Sequence, residues 1–463
     1  MAKRSSILAA IATLIAALAA SCSSSKESAK PNPSGVTFAS AIGALVGEKC
    51  ASCHHDGGAA PFPLVTYEQT ASMGAAAKEV VARRAMPPWG AFDEEDCTMR
   101  HKLKGNLSLT QEEIDMFVGW VDAGMPRGDD RLRPPLPELA PAVSHLVDKT
   151  DAFTVAQTHE VDALAPDDIR CFPLDPGFTK ETWVAESLVV PEDPKVVHHA
   201  LVYIDRRREG VAKVGSDGSY TCFGGSELSE STLLLAWSPG GSSTTYGKDA
   251  ALPIPKDAHL VVQVHYHATA TRTTGRVNVE LKTLPEKPAR TAGFVLVGNA
   301  DGAPGNAVEL LPGPNDPPGP PSFRIPANAK GHTETMELRL PPSITETRLT
   351  AVGAHMHFVG VGLKLEVERR EPAEGEPASE CLLSVPKYDF NWQRTYAYDA
   401  PERDLPTLRG GDKLRITCTY DNSRDNPLLA RALAEQRMSK PVDVRLGGNS
   451  LDEMCQAILV FVD

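Results

Sequence analysis

The chain has 463 residues, 41% of them hydrophobic, and a formal net charge of −13. That length leaves room for about two to four domains with substantial cores. The acidic balance, with no basic run against it, excludes nucleic acid as a partner.

The N-terminus is predicted to be a targeting segment. Lys3 and Arg4 precede an apolar stretch from Ile7 to Ala20 that is too short for a comfortable membrane span. It ends Leu18-Ala19-Ala20-Ser21-Cys22, which resembles a bacterial lipobox with its leucine one place early. Residues 1–21 are thus expected to be a signal peptide, Cys22 the lipidated first residue, and 22–35 a flexible tether. The expected location is the bacterial cell envelope, lipid-anchored in the periplasm or at the outer membrane, with no other membrane contact. Export implies an oxidising compartment.

Residues 36–130 show helical patterning. Phe38 to Lys49 is an amphipathic run that delivers the chain to Cys50, and Tyr67 to Arg84 is Ala-rich with helical period. Thr110 to Glu113 spells a capping box that opens a helix through Trp120 to Ala123, and Gly124 and Pro126 stop it. After the first run comes Cys50-Ala51-Ser52-Cys53-His54, the C-x-x-C-H attachment signature of a c-type haem. Both thiols add to the haem vinyl groups and His54 becomes an axial iron ligand. A thioredoxin-like pair does not need His54, and a zinc site needs a second ligand pair nearby. Met86, in a Met-Pro-Pro-Trp turn, is the expected second axial ligand; Met73, Met99, His55 and His101 compete with it.

Residues 131–145 are a Pro- and charge-rich linker, after which the patterning changes to alternating runs between Gly/Pro turns. Strands are expected at Leu188–Val190, Val196–Ile204, Leu260–His267 and Val277–Leu281. A second series follows at Met336–Leu340, Leu349–Phe358, Leu363–Glu368, Lys413–Tyr420 and Ala457–Val462. Leu284 to Pro288 marks an expected break between β regions 146–286 and 287–463, and Pro304 to Pro321 an expected surface loop.

Paired histidines crowd these strands. His355 and His357 are two apart, so on a strand they project from one face and can pinch one metal, with Met454 supplying a thioether. Two imidazoles and a soft sulfur suit copper, Cu(I) in particular. His198 and His199 would point to opposite faces of a regular strand and can share a metal only if the strand bends or ends there. His265 or His267 would supply a third ligand.

These segments resemble the copper type II, ascorbate-dependent monooxygenases, the family of dopamine β-hydroxylase and peptidylglycine α-hydroxylating monooxygenase. The matching words are Val197-His198-His199-Ala200-Leu201, Gln263-Val264-His265-Tyr266-His267, Ala354-His355-Met356-His357 and Gly448 to Cys455, in family order. Cys50 to Trp89 is similar to the cytochrome c-like module that precedes such regions in bacterial proteins. The resemblance implies a multidomain chain: a small all-α cytochrome c-like domain over 36–130, then two all-β jelly-roll sandwich domains. It implies an electron-transfer copper on His198, His199 and His265, and an oxygen-activating copper on His355, His357 and Met454. The cofactors are then haem c and two copper ions, and the partners a small-molecule substrate, dioxygen and a reductant, either ascorbate-like or a redox protein. The expected reaction hydroxylates an activated C–H bond, with electrons relayed from the chain's own haem; a haem/copper electron-transfer protein without hydroxylase activity is the alternative. The resemblance also supports disulfides Cys171–Cys222 and Cys418–Cys455. Cys97 and Cys381 are left over, and their pairing would require the haem module to dock on the C-terminal half.

The family pattern is not complete. Gly353 stands where peptidylglycine enzymes carry a carboxylate-binding arginine, and Gln456 and Ile458 align with their peptide-contacting asparagine and tyrosine, so a C-terminal glycine peptide is a poor fit. His259 shares a strand face with His265 and is a spare ligand candidate. His145, His159 and His332 are expected at the surface or in loops, and Tyr388 to Gln393 in strand and core, with a minor part in lining the cleft.

Overall fold

Capping boxes start each N-terminal helix. In the computed structural model, which describes residues 35–463 except 59, 89, 136–143, 156–158, 162–166, 194–195, 223–224, 239–242, 268–272, 303–306, 315 and 449–450, Thr37 caps a π-helical turn over Phe38–Ile42. That turn runs on into α1, Gly43–Lys49. Thr66 and Thr110 cap α2, Tyr67–Ala82, and α3, Gln111–Asp122, in the same reciprocal way. The helices enclose a small core around the fully buried Trp120, whose indole N–H donates to the Pro126 carbonyl at 3.0 Å. The signal peptide, the tether and Cys22 lie outside the described residues.

After α2 the chain leaves this core and joins the C-terminal half. Gly90, Met99 and Leu103 form isolated β-bridges with Lys387, Cys381 and Tyr398. Cys97 is disulfide-bonded to Cys381, and His101 pairs with Glu380 at 3.2 Å. Ala91 and Leu103 are buried in the C-terminal core.

The expected build, a small all-α domain followed by two all-β jelly-roll sandwiches, is therefore corrected. The chain is mostly sheet, 38% strand against 16% helix, and its helices are few and short. The N-terminal stretch spends residues 90–104 pairing with strand-forming chain rather than completing a helical domain. The β region is likewise continuous. A ten-stranded sheet runs Asp151–Thr154, Val277–Leu284, Thr182–Pro191, Ala250–Ile254, Arg290–Gly298, Gln456–Val462, Thr347–His355, Thr395–Ala397, with two short strands off this path. The expected break at Leu284 to Pro288 is a turn inside that sheet. Arg290 and Thr291 pair parallel with Ala250 and Ala251 across it.

Two five-stranded sheets and two small two-stranded ones make up the rest of the described β region. One five-stranded sheet contains Asp167–Leu174, Val197–Asp205 and His259–His267; the other contains Lys330–Arg339, Gly360–Glu368 and Lys413–Asp421. The buried faces of the first core include Ala351, Ile458 and Val460 from the last third of the chain, so the two cores interlock. Alternate burial along Lys413–Asp421 matches its alternating sequence. The Pro304 to Pro321 stretch holds a short strand, Val308–Leu310, where a loop was expected. Cys171–Cys222 and Cys418–Cys455 are both disulfides, and the three bonds together are compatible with an exported protein. Among the described residues no helix is long and apolar enough to cross a membrane.

An ion network closes the C-terminal core beside the Cys97–Cys381 bond. The buried Arg369 guanidinium pairs with Glu380 at 2.5 Å, and Arg409 pairs with Glu376 at 2.7 Å. Burial works to raise the Glu376 carboxyl, but hydrogen bonds from Arg409, Thr407 and the Ala373 N–H hold it down at about 2. A carboxyl held below its unfolded value stabilises the fold above that unfolded value and loses the contribution as pH falls through the folded one. Wild-type urea midpoints are therefore expected to fall between about pH 5 and about pH 3, more steeply than in Glu376→Gln. Equal slopes would remove Glu376 from the network. Replacing Cys97 and Cys381 by serine is expected to lower unfolding free energy by about 2–5 kcal/mol. It should also make residues 90–104 quicker to cleave, because the covalent clamp on that stretch is gone. Urea titration and timed proteolysis check both.

Candidate metal centre

Three imidazoles meet because one strand is irregular. His265 on His259–His267 pairs with His199 on Val197–Asp205, and the next residue, Tyr266, pairs with Val197. His198 is therefore the extra residue of a β-bulge. A bulge re-aims a side chain that regular pleating would send to the opposite face, so both neighbours of the His-His pair face His265. One ligand atom from each of His198, His199 and His265 lies within 4.8 Å of the others, and all three residues are buried. This cluster could hold a metal ion. The side chains of His199 and His265 sit 4.8 Å apart, ring to ring, with His198 and His265 at 4.9 Å.

His355 ends the strand Thr347–His355, where it pairs with Gln456 of the last strand. Its ring lies 5.5 Å from that of His357. Met454 lies two residues before the last strand, and its backbone is held from three sides. The Tyr420 hydroxyl donates to the Met454 carbonyl at 3.0 Å, the Met454 N–H donates to Glu453 Oε1 at 3.0 Å, and the following Cys455 is bonded to Cys418. His199, His355 and Met454 line one cavity of about 270 Å³, whose apolar walls include Leu201, Trp237, Leu296 and Ile458.

The imidazoles are oriented as ligands. His355 Nδ1 is 2.6 Å from Gln393 Oε1, and His357 Nδ1 is 3.0 Å from the Asp452 carbonyl. A ring that donates Nδ1–H leaves Nε2 as the lone-pair atom, the usual outer-shell arrangement of a metal-bound histidine. His355 Nε2 and His199 Nδ1 are buried and have no hydrogen-bond partner among the described residues. Buried polar atoms in proteins are almost always paired, and a nitrogen lone pair aimed into a closed site fits a cation. Burial, followed by the nearby His265, His198 and His355, pulls His199 well below the ordinary imidazole value. Burial likewise lowers His355 against the Gln393 contact. Both shifts favour the neutral ring, whose lone pair a metal needs.

Glu453 anchors this end of the site. Its carboxylate accepts from the backbone N–H groups of His357, Val359, Met454 and Gly360, while complete burial pushes it up to about 8.

The Cys50–His54 turn follows α1 directly. Cys50 and Cys53 stay out of the disulfide set. Burial, then the neighbouring Cys53, pushes the Cys50 thiol up to about 12, and burial also raises Cys53. His54 Nδ1 lies 3.0 Å from the Phe62 carbonyl, which leaves Nε2 as the atom a haem iron would take. Two thiols and an imidazole so arranged fit the attachment site of a c-type haem. Met86 lies 38% exposed on the segment after α2.

The other histidines divide. His259 stands at the far end of its strand from His265, 3.7 Å from Asp175, and belongs to neither cluster. His145 is half-exposed against Glu280. His159 is on a short strand, paired with Asp168, and His332 is 3% exposed beside Glu334, so neither is a surface-loop residue. The Tyr388 to Gln393 run is not strand: Phe390–Trp392 is a turn of 3₁₀-helix. Sequence patterning missed Arg394 in the cavity wall; it placed Gln393 in the cleft lining and Glu453 in a motif word, but not their contacts with His355 and with the His357 and Met454 backbone. Nothing in their spacing marks those contacts, because each acts across the chain on a residue far from it in sequence or, for Glu453, on backbone. Compared with known proteins, the chain matches no family model and no curated sequence.

Glu453→Gln is expected to weaken metal binding at the His355–His357–Met454 site while sparing the His198–His199–His265 site. The amide NH₂ would face backbone donors that the carboxylate now satisfies, at a cost of about 1–3 kcal/mol. Metal titration followed by a spectroscopic signature for each site checks this, and equal weakening at both sites counts against it.

Proposed function

We propose that this chain is an exported, copper-dependent monooxygenase of the copper type II, ascorbate-dependent kind, which hydroxylates an activated C–H bond with dioxygen and draws electrons from a c-type haem on the same chain. The observation that carries the reading is the convergence of His199, His355 and Met454 on one cavity of about 270 Å³. That volume accepts a small molecule, and its largely apolar wall suits both dioxygen and a C–H substrate.

Copper, when bound, supplies one-electron chemistry and activation of dioxygen. The chain's residues divide the remaining work. His198, His199 and His265 offer three nitrogens and no open sulfur, a donor set suited to passing electrons. His355, His357 and Met454 offer two nitrogens and a thioether, which favours Cu(I) and faces the cavity. Gln393 fixes the His355 ring, and Glu453 fixes the backbone between His357 and Met454. Trp237, Leu201 and Leu296 give the cavity an apolar wall against which a C–H substrate could pack. Lipidation at Cys22 would place the enzyme on the bacterial envelope, where disulfides and covalent haem both persist.

The test is product analysis under labelled dioxygen with copper-loaded full chain and a reductant. Two coppers and one haem per chain are expected, with one labelled oxygen atom in the product. Met454→His is expected to retain copper and lose most turnover, because imidazole shifts the site toward Cu(II). His355→Ala should lose more, since a ligand is gone. Copper that saturates at one per chain, or oxygen consumption with no labelled product, overturns the assignment.

A further inference from the structure

Five consecutive residues run from both histidine clusters to the core on which Cys53 packs. The Phe390 ring lies 6.4 Å from His199, 6.2 Å from His265 and 6.3 Å from His357, so one phenyl stands between the two histidine clusters. The Trp392 indole lies edge-on to His198 at 5.5 Å. Gln393 contacts His355 Nδ1 at 2.6 Å. Arg394 follows, its guanidinium 5.6 Å over the Tyr396 ring and against Gly105 of the N-terminal module. Cys53 of the C-x-x-C-H turn packs on the C-terminal core that also holds Phe390 and Trp392.

The module is tied to the C-terminal half through residues 90–104. The Cys97–Cys381 bond, the bridges at Gly90, Met99 and Leu103, and the His101–Glu380 pair hold it against the same half that carries this segment. An electron leaving the Cys50–His54 turn must therefore cross fixed protein. Bonded and aromatic groups couple donor and acceptor better than gaps between packed aliphatic side chains.

We propose that Phe390–Arg394 is the electron path from a haem at Cys50, Cys53 and His54 to metal ions in the two histidine clusters, with Trp392 as the step that reaches His198. This rests on the haem and copper assignment above. In each transfer ferrous haem iron gives up one electron and one cupric ion takes it, becoming cuprous; no bond forms or breaks. Arg394 is a positioning residue for the haem's charge. A buried cation near a bound haem would favour the ferrous form, so its removal should lower the haem potential.

The experiment uses the full chain loaded with haem and copper, without oxygen or substrate. The haem is reduced by a light flash, and its reoxidation is followed together with loss of the Cu(II) electron-spin signal. Trp392→Leu is expected to slow reoxidation by roughly tenfold, while Trp392→Phe stays within about threefold of wild type. Copper content, the Cu(II) spectrum and the haem potential should match wild type in both. Arg394→Met should lower the haem potential and leave the Cu(II) spectrum unchanged. The path is overturned if Trp392→Leu transfers as fast as wild type, if Trp392→Phe is as slow as Trp392→Leu, or if slowing appears only with lost copper or an altered Cu(II) spectrum. A wild-type haem that stays reduced beside Cu(II), or a chain that takes up no haem or no copper, instead overturns the assignment on which the path rests.

Discussion

The pairing of the last strand, Gln456–Val462, is the constraint on which the site depends. It lies between Arg290–Gly298 and Thr347–His355 in the ten-stranded sheet, antiparallel to both. Because side chains alternate along a strand, a slip of one residue would turn Ile458 and Val460 out of the first core. The same slip would break the His355–Gln456 pair and carry Met454 away from His355. Hydrophobic register and metal geometry are thus set by one set of hydrogen bonds. The Cys418–Cys455 bond pins the strand at the residue next to the ligand, where fraying would matter most for the donor set.

Gathering five buried imidazoles is costly. An unpaired buried nitrogen forgoes water and gains nothing from the protein, and His199 and His355 each carry such an atom among the described residues. The surrounding sheets over-determine the arrangement: Val202, Val262 and Val264 are wholly buried around the first cluster's strands, and Val352 and Leu459 behind the second. Packing elsewhere therefore holds two sites that are unfavourable when empty. A cation that binds only the folded chain returns that energy as stability.

The parts that sequence patterning recovered are local. The capping boxes at Thr66 and Thr110 give helix starts, and alternation places the strands carrying every paired histidine. The need for a bend at His198-His199 was legible as a condition, but the bulge that meets it depends on the partner strand's register. Leu284 to Pro288 looked like a boundary because proline and charge end a strand. Sheet continuity there depends on a parallel pair between residues 40 apart, Ala250 and Arg290, which no local pattern encodes. The all-α expectation failed for the same reason. Residues 90–104 carry no strand alternation of their own and become extended only because the Cys381 and Tyr398 region offers them partners. Gln393 and Arg394 gain their roles from a turn of 3₁₀-helix that brings a short, mixed-polarity run into the cavity wall.

Charge differs between the two clusters as much as ligand type does. The His198–His199–His265 cluster has imidazole neighbours and the rings of Trp392 and Phe390, with no carboxylate among the groups that shift His199. The His355–His357–Met454 site has Glu453 directly behind it, bonded to the His357 N–H and to Met454. Two cations separated by little more than one phenyl ring would repel, and low-polarity packing between them strengthens the repulsion. Burial holds the Glu453 carboxyl at about 8, and a cation at His357 would draw off that proton and meet a carboxylate, whereas a cation at His198 meets none. The uncompensated cluster is the one that favours the lower metal charge through electrostatics. The compensated cluster must favour it through the Met454 thioether. The two sites therefore reach a reduced metal by different physical means, a consequence of placing a carboxylate and a sulfur on consecutive residues of the same turn.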